Sequence, residues 1–297
     1  MSLVRPSPSP SPSEIERYWT SHTVRTKEFE SAEESAEFLE WRFGQYPLFR
    51  ELTGLWGDHR GEVVLDYGCG PGNDVVGFLL HSGAAKVIGM DVSPTSIRLA
   101  GERVALHRIE PERVELVRVP EGASRLPLGD GAIDHVNCQG VLQHVTDPEH
   151  VLRELRRVLR DSGRAVVMVY NRDSVWFHLH VGYVRMVRDR VTPGASIEDV
   201  FRASTDGPDC PISRAYRPEE FLELCRSYGF DPAYAGGYFH RKELDWLRKH
   251  RAAALGSAEL PEEHKAFLRA LNEDDAGLPL YRGKHCGIGG VYHLRPA

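Results

Sequence analysis

The stretch Val63-Val64-Leu65-Asp66-Tyr67-Gly68-Cys69-Gly70-Pro71-Gly72-Asn73 decides the fold. Its consecutive apolar residues read as a buried strand, and residues 73–82 read as a helix. Between them Gly68, Gly70 and Gly72 permit a tight bend and let the backbone reach a ligand with no Cβ in the way. The next strand, Val87-Ile88-Gly89-Met90, ends at Asp91, about 20 residues beyond the glycines. A carboxylate there can accept both hydroxyls of a ribose.

The same rhythm continues on either side. Ser93-Pro94 supplies an N-cap and a first-turn proline for a helix to about residue 106. Val114, Leu116, Val117 and Val119 make a third strand, Ile133 to Cys138 a fourth, and Ala165 to Val169 a fifth. A helix over 148–160 separates the last two, with Val151, Leu152, Leu155, Val158 and Leu159 on one face. Strands alternating with helices at this spacing imply right-handed crossovers and a parallel sheet covered on both faces.

Upstream, Ser31 with Glu34 reads as a capping box opening a helix through Phe38 to Phe43, and a further turn follows Pro47. Residues 6–13 alternate proline and serine and cannot bury anything, so folded structure is expected to start near Ser13. Downstream of Tyr170 the alternation breaks. A helix around 174–190 begins an insertion, Pro218 to Tyr228 returns as a core helix, and strands are expected near 232–239 and 287–294.

Bulk properties narrow the function classes. The net charge of −6 argues against a dedicated nucleic-acid binder, which would need a dense basic face. No stretch approaches the roughly 20 apolar residues of a membrane helix, so no membrane partner is expected. The five cysteines are odd in number, widely separated and never in a Cys-x-x-Cys pair. No zinc site or other metal is expected, and a reducing, cytoplasmic location is the default. The sequence carries no mark of oligomeric state.

Dinucleotide-binding enzymes use a similar turn, but they want Gly-x-Gly-x-x-Gly, and the sixth position here is Asn73. Gly68-x-Gly70-x-Gly72 preceded by Asp66 instead resembles the first motif of class I S-adenosylmethionine-dependent methyltransferases, in particular bacterial small-molecule ones. Val87 to Ser93 resembles the second motif, with Asp91 on the ribose. Leu126-Pro127-Leu128 with Asp130 to Asp134, Gly140 to Val145, and Leu159 to Arg164 resemble later segments in the right order. The resemblance covers residues 61–170 and implies S-adenosyl-L-methionine as cofactor. It implies cofactor contacts from Asp66, Gly68, Cys69, Gly70, Gly72, Asn73, Asp91, Val92, Gln139 and Gly140. Where the family often carries Asp-Ala near the adenine, this chain has Gly122-Ala123 with Glu121 before it. Either Glu121 substitutes, or backbone and apolar contacts hold the base.

Methyl transfer is a direct displacement, so positioning can supply much of the rate and no catalytic side chain is obligatory. His144, just past the fourth strand, reads either as a base or as a residue that shapes the pocket. Tyr170 ends the fifth strand at the carboxyl edge, where open α/β sheets place ligands. Trp176, His180, Tyr183 and Val187 share one face of the inserted helix at α-helical spacing, as lid packing or as an acceptor pocket. Arg214, Tyr216 and His285 are further acceptor candidates, and Trp41, Arg42 and Tyr46 could close over the cofactor.

The expected architecture is therefore α/β: a Rossmann-like, doubly wound, seven-stranded and mostly parallel sheet with an N-terminal helical cap and two helical insertions. Its parts are a Pro/Ser tail (1–13), the cap (14–60), the cofactor-binding core (61–171), a lid (172–213), core continued (214–239), a helical insertion (240–285) and a final core strand (286–297). The expected function is methylation of an O or N atom of a small molecule. The alternatives are a methyltransferase acting on RNA or protein, or a non-catalytic S-adenosylmethionine-binding protein.

Overall fold

The computed structural model describes residues 10–23 and 27–297. Most of the expected Pro/Ser tail lies outside those residues, but its end does not. Ser11 donates its N–H to Glu14 (2.7 Å), an N-terminal box that starts α1 (Pro12–Ser21) two residues before the tail was expected to finish. The cap continues with α2 (Ala32–Gln45) and α3 (Phe49–Thr53). In α2, Ser31 accepts the Glu34 N–H as the sequence suggests.

The core alternates as expected: β1 (Val63–Tyr67), α4 (Asn73–His81), β2 (Lys86–Asp91), α5 (Pro94–Leu106), β3 (Val114–Arg118), β4 (Ile133–Gln139), α6 (Pro148–Val158) and β5 (Leu159–Asn171). Strand β5 is longer than its apolar run. Leu159–Arg164, which precedes that run, pairs with the start of β4 through an irregular register between Ile133 and His135. Beyond β5 come a wide-pitched π-helix (Trp176–Arg188), α7 (Ile197–Thr205), β6 (Ala215–Tyr216), α8 (Pro218–Ser227) and β7 (Phe230–Tyr238). Helices α9 (Arg241–Gly256) and α10 (Glu262–Arg269) follow. The remainder of the 240–285 segment is not helical: β8 (Asn272–Glu273), β9 (Pro279–Tyr281) and β10 (Lys284–His285) form a small antiparallel sheet before β11 (Gly289–Pro296).

The main sheet runs β3–β2–β1–β4–β5–β11–β7, with two-residue β6 pairing at the upper end of β5. All its pairings are parallel except those of β11, which runs antiparallel between β5 and β7. Alternate residues serve opposite faces. Leu65, Ile88, Val136 and Val167 meet α6 and α8 on one side, whereas Val64, Val87 and Val166 meet α3 and α4 on the other. The order reverses between β1 and β4, which opens a crevice at the carboxyl ends of these strands. No helix among the described residues is long and apolar enough to cross a membrane.

Candidate functional site

A cavity of about 630 Å³ occupies that crevice. One end is built by the glycine-rich turn. Gly68, Gly70 and Gly72 all have positive φ (80°, 53° and 81°), and a Cβ on Gly68 would stand 2.1 Å from Val141 Cγ2. A Cβ on Gly70 would meet no protein atom within 4 Å, so that turn presents bare backbone to open space. Asp91 ends β2 and fixes the turn from the far side. One carboxylate oxygen accepts the Gly70 N–H (2.9 Å), and the other accepts the Ser93 N–H (2.8 Å). Burial pushes its carboxyl above the ordinary range, opposed by these N–H bonds.

Behind the turn lies a buried polar relay. Asn137 donates to Asp66 Oδ1 (2.7 Å) and, more weakly, to Asp74 (3.4 Å), while Asp74 is ion-paired to Arg42 from α2. Gln139 donates to Asn137 (3.1 Å). Burial and the neighbouring Asp74 push the Asp66 carboxyl well up. Asp66 Oδ2 and Gln139 Oε1 remain buried acceptors without a partner, in residues that line the cavity. An incoming group with N–H donors would satisfy both.

The other end is built by elements that close over the sheet. His144 donates Nδ1–H to the Ile212 carbonyl (2.7 Å), which leaves the Nε2 lone pair facing Asp206 Oδ1 at 3.7 Å. Burial lowers the His144 pKa from its ordinary value and so favours the neutral ring. Tyr170 donates its hydroxyl to the same Asp206 oxygen (2.7 Å), and Ser213 donates to the other (2.6 Å). Burial, then the Asp206 charge, raises the Tyr170 phenol far above its usual value. Tyr18 of α1 donates to the Asp206 backbone carbonyl, tying the cap to the lid. His144, Asp206 and Cys210 bring three ligand-type atoms within 4.8 Å of one another. The Cys210 thiol donates to the Ile212 carbonyl (3.2 Å), the same carbonyl that accepts from His144.

Of the expected cofactor residues, Asp66, Gly68, Cys69, Gly70, Asn73, Asp91, Val92, Glu121, Gln139 and Gly140 line the cavity. Gly72 does not. Its Cα packs against Ala100 of α5, where an added Cβ would sit 3.0 Å away. Gly122 and Ala123 border a separate small pocket beside it. Glu121 borders both, and one of its oxygens already accepts the Thr146 N–H (2.7 Å) and hydroxyl (2.8 Å).

The acceptor candidates divide more sharply. His144, Tyr170 and Trp176 line the cavity, and the rest do not. His180 stacks on Trp246 of α9 (3.7 Å between centroids), and Tyr183 packs into the apolar cluster between the π-helix and α9. The wide pitch accounts for Tyr183: the seventh position shares a face with the first in an α-helix but swings to the opposite side at about 4.4 residues per turn, whereas His180, four on, stays beside Trp176 and is taken up by Trp246. Arg214 donates to the Val145 carbonyl (2.6 Å), Tyr216 packs on Phe221, and His285 bonds Asp274 (2.9 Å) on the small sheet. Trp41 is half exposed and stacks on Phe38, whereas Arg42 and Tyr46 do reach the wall.

Several wall residues escaped the sequence reading. Tyr18, Trp19 and His22 come from α1, whose box Ser11-Pro12-Ser13-Glu14 followed by Ile15, Tyr18, Trp19 and His22 was a legible amphipathic helix. Asp74, Asp206, Tyr238 and His240 also line the cavity, and tertiary placement alone reveals them.

Comparison with known proteins agrees with this geometry. A family model described as "Methyltransferase domain" matches residues 65–167. An uncharacterized 37.1 kDa protein in transposon TN4556 of Streptomyces fradiae is 39% identical over 139 residues, which is 44% of this chain but only 38% of that protein. A ubiquinone biosynthesis O-methyltransferase of Neisseria meningitidis serogroup A is 30% identical over 192 residues, 64% of this chain and 73% of that one. Among solved structures, the 1,6-didemethyltoxoflavin-N1-methyltransferase of Burkholderia thailandensis, crystallised with its substrate and S-adenosylhomocysteine, superposes with a TM-score of 0.50. Its identity is 19%, over 99% of this chain and 93% of that one, a likeness of fold.

Proposed function

Because this chain belongs to the class I S-adenosylmethionine-dependent methyltransferases, we propose that it methylates an O or N atom of a small, flat, uncharged molecule held between the glycine-rich turn and His144. The observation that carries the proposal is the continuity of one cavity from Gly70 and Asp91 to the His144–Asp206–Tyr170 cluster. When bound, S-adenosylmethionine supplies a sulfonium-activated methyl group. Its sulfur would keep the electron pair of the broken bond when a lone pair of the acceptor displaced it from the methyl carbon.

The chain's own residues supply the rest. Asp91 offers its remaining lone pairs to ribose hydroxyls, and Asp66 Oδ2 and Gln139 Oε1 offer buried acceptors to an ammonium. Helix α1 and the lid exclude water through the Tyr18–Asp206 bond. His144 Nε2 takes the acceptor's proton, and the resulting imidazolium is faced by Asp206 at 3.7 Å. The wall carries the acidic groups of Asp74, Glu121 and Asp206, with Asp66 and Asp91 held toward their neutral forms by burial, and its Arg42 is already committed to Asp74. That balance repels an anionic acceptor. The flat faces of Trp19, Tyr46, Trp176 and Tyr238 suit a planar ring. The printed activity of the Neisseria relative, O-methylation in ubiquinone biosynthesis, is of the same kind.

The test is calorimetric titration of the purified chain with S-adenosylmethionine, S-adenosylhomocysteine and NADH, followed by methyl transfer from labelled S-adenosylmethionine to catechol and to benzoate. Micromolar binding of the sulfur compounds with labelling of catechol supports the proposal. Labelling of benzoate in preference to catechol overturns the uncharged acceptor. Sulfur-compound binding with turnover on no small molecule returns the non-catalytic alternative.

A further inference from the structure

Glu243, on the first turn of α9, is fully buried and does not line the cavity. Its carboxylate nevertheless accepts three backbone N–H groups from three separate parts of the chain. One oxygen takes Trp176 (3.0 Å) at the start of the π-helix. The other takes His240 (2.7 Å) at the end of the β7 connection and Ile288 (3.3 Å) just before β11. Trp176, His240 and Ile288 all line the acceptor end of the cavity.

Helix capping alone would need only the His240 bond. The other two bonds cross between elements that share no sequence neighbourhood. The Trp176 N–H is one of the orphan donors at a helix start, and the Ile288 N–H stands just before β11, the strand that joins β5 to the edge strand β7. Burial outweighs the three N–H bonds, each of which lowers the pKa, and leaves the Glu243 carboxyl up at about 8. No side chain of opposite charge offsets its burial, so the amides are its whole solvation.

We propose that Glu243 is a positioning residue that locks the acceptor wall, setting Trp176, His240 and Ile288 relative to one another by binding their amides at the two oxygens of one carboxyl group. It acts through those backbones and touches neither substrate nor cofactor. The acceptor role of the wall rests on the function proposed above, whereas the three-way amide lock does not.

Glu243→Gln keeps the size, but it replaces one oxygen with an N–H₂ group that has nothing to donate to among these amides. Hydrogen exchange read peptide by peptide should show 176, 240 and 288 accelerating together by about tenfold or more. Peptides spanning 63–72 and 86–93, and the affinity for S-adenosylhomocysteine, should stay within about twofold. With catechol as acceptor, KM should rise at least about tenfold while the cofactor KM stays put. Acceleration confined to 240–243 would reduce Glu243 to a helix cap and overturn the proposal. So would acceleration of all three with an unchanged catechol KM. If wild type fails to methylate catechol, the functional reading falls while the exchange result still judges the lock. Should the glutamine variant not fold, Glu243→Asp keeps the carboxyl group but shortens the reach, and the same exchange pattern is decisive.

Discussion

Replacing Asp91 by Asn tests the proposed ribose contact, and its cost can be worked out. An ionised carboxylate has about four acceptor positions. Gly70 and Ser93 N–H groups take two of them in this chain, leaving two for the ribose hydroxyls. A hydrogen bond to a charged group is worth about 1.5–3 kcal/mol. The amide trades one acceptor oxygen for a donor, so one ribose bond and one backbone bond are lost. Affinity for S-adenosylhomocysteine should fall by about 10- to 150-fold. The stranded backbone N–H costs about 1–3 kcal/mol, which lowers Tm by several degrees in a chain of this size. Alanine removes both ribose bonds, and the affinity loss should reach about 10²- to 10⁴-fold. Calorimetric titration at fixed salt, with a melting curve on each variant, reads both quantities. A folded Asn variant that binds within threefold of wild type would refute the placement of the ribose at Asp91.

Three further outcomes are expected. Because burial lowers the His144 pKa, the base form is reached at a lower pH than for a free histidine, so kcat/KM with catechol should climb with pH and level off before neutrality. In His144→Asn that climb should vanish and the rate should drop by about 10²- to 10⁴-fold, as rate–pH profiles will show. Arg42→Met strips the cation from the Asp66–Asp74 relay and should cost about 3–5 kcal/mol. Asp66 holds its proton above the ordinary range, so that loss should shrink as pH falls and grow as pH rises. Equal losses of Tm at pH 5.5 and pH 8 would contradict the relay. Gly237→Ala drives a Cβ to 2.4 Å from the Gly287 carbonyl oxygen and 2.9 Å from its amide nitrogen, with no rotamer to relieve it. It should destabilise by about 1–3 kcal/mol in chemical denaturation while S-adenosylhomocysteine binding persists.

The cofactor half was legible because its signals are local. A strand, three glycines, a helix and a strand-end Asp91 lie within residues 63–91, and their periodicity and turn chemistry need no long-range knowledge. The acceptor half was mostly illegible because it is assembled at distance. Asp206 reaches His144 from the end of α7, Tyr18 reaches Asp206 across 188 residues, and Tyr238 and Ile288 arrive on strands brought together by the sheet. The π-winding of residues 176–188 hides part of the pattern in another way, since Tyr183, seven residues beyond Trp176, leaves that residue's face at this pitch. Arg214, Tyr216 and His285 were chosen for their chemistry, and each found a structural partner elsewhere.

The glycines of the β7–β11 seam divide the acceptor end into two materials. Next to the lining residues Tyr238 and Ile288, Gly237 and Gly287 press backbone on backbone, and an added Cβ on Gly289, in the wall itself, would lie 2.2 Å from the Tyr238 ring, so this floor depends on missing side chains. The roof, by contrast, is made of ordinary side chains on α1 and the π-helix: Tyr18, Trp19, His22 and Trp176. A floor of that kind admits almost no substitution, while a roof of that kind can be re-cut one residue at a time. Changes of acceptor during the history of such a chain would therefore be written in its helical coverings, over a floor that stays the same.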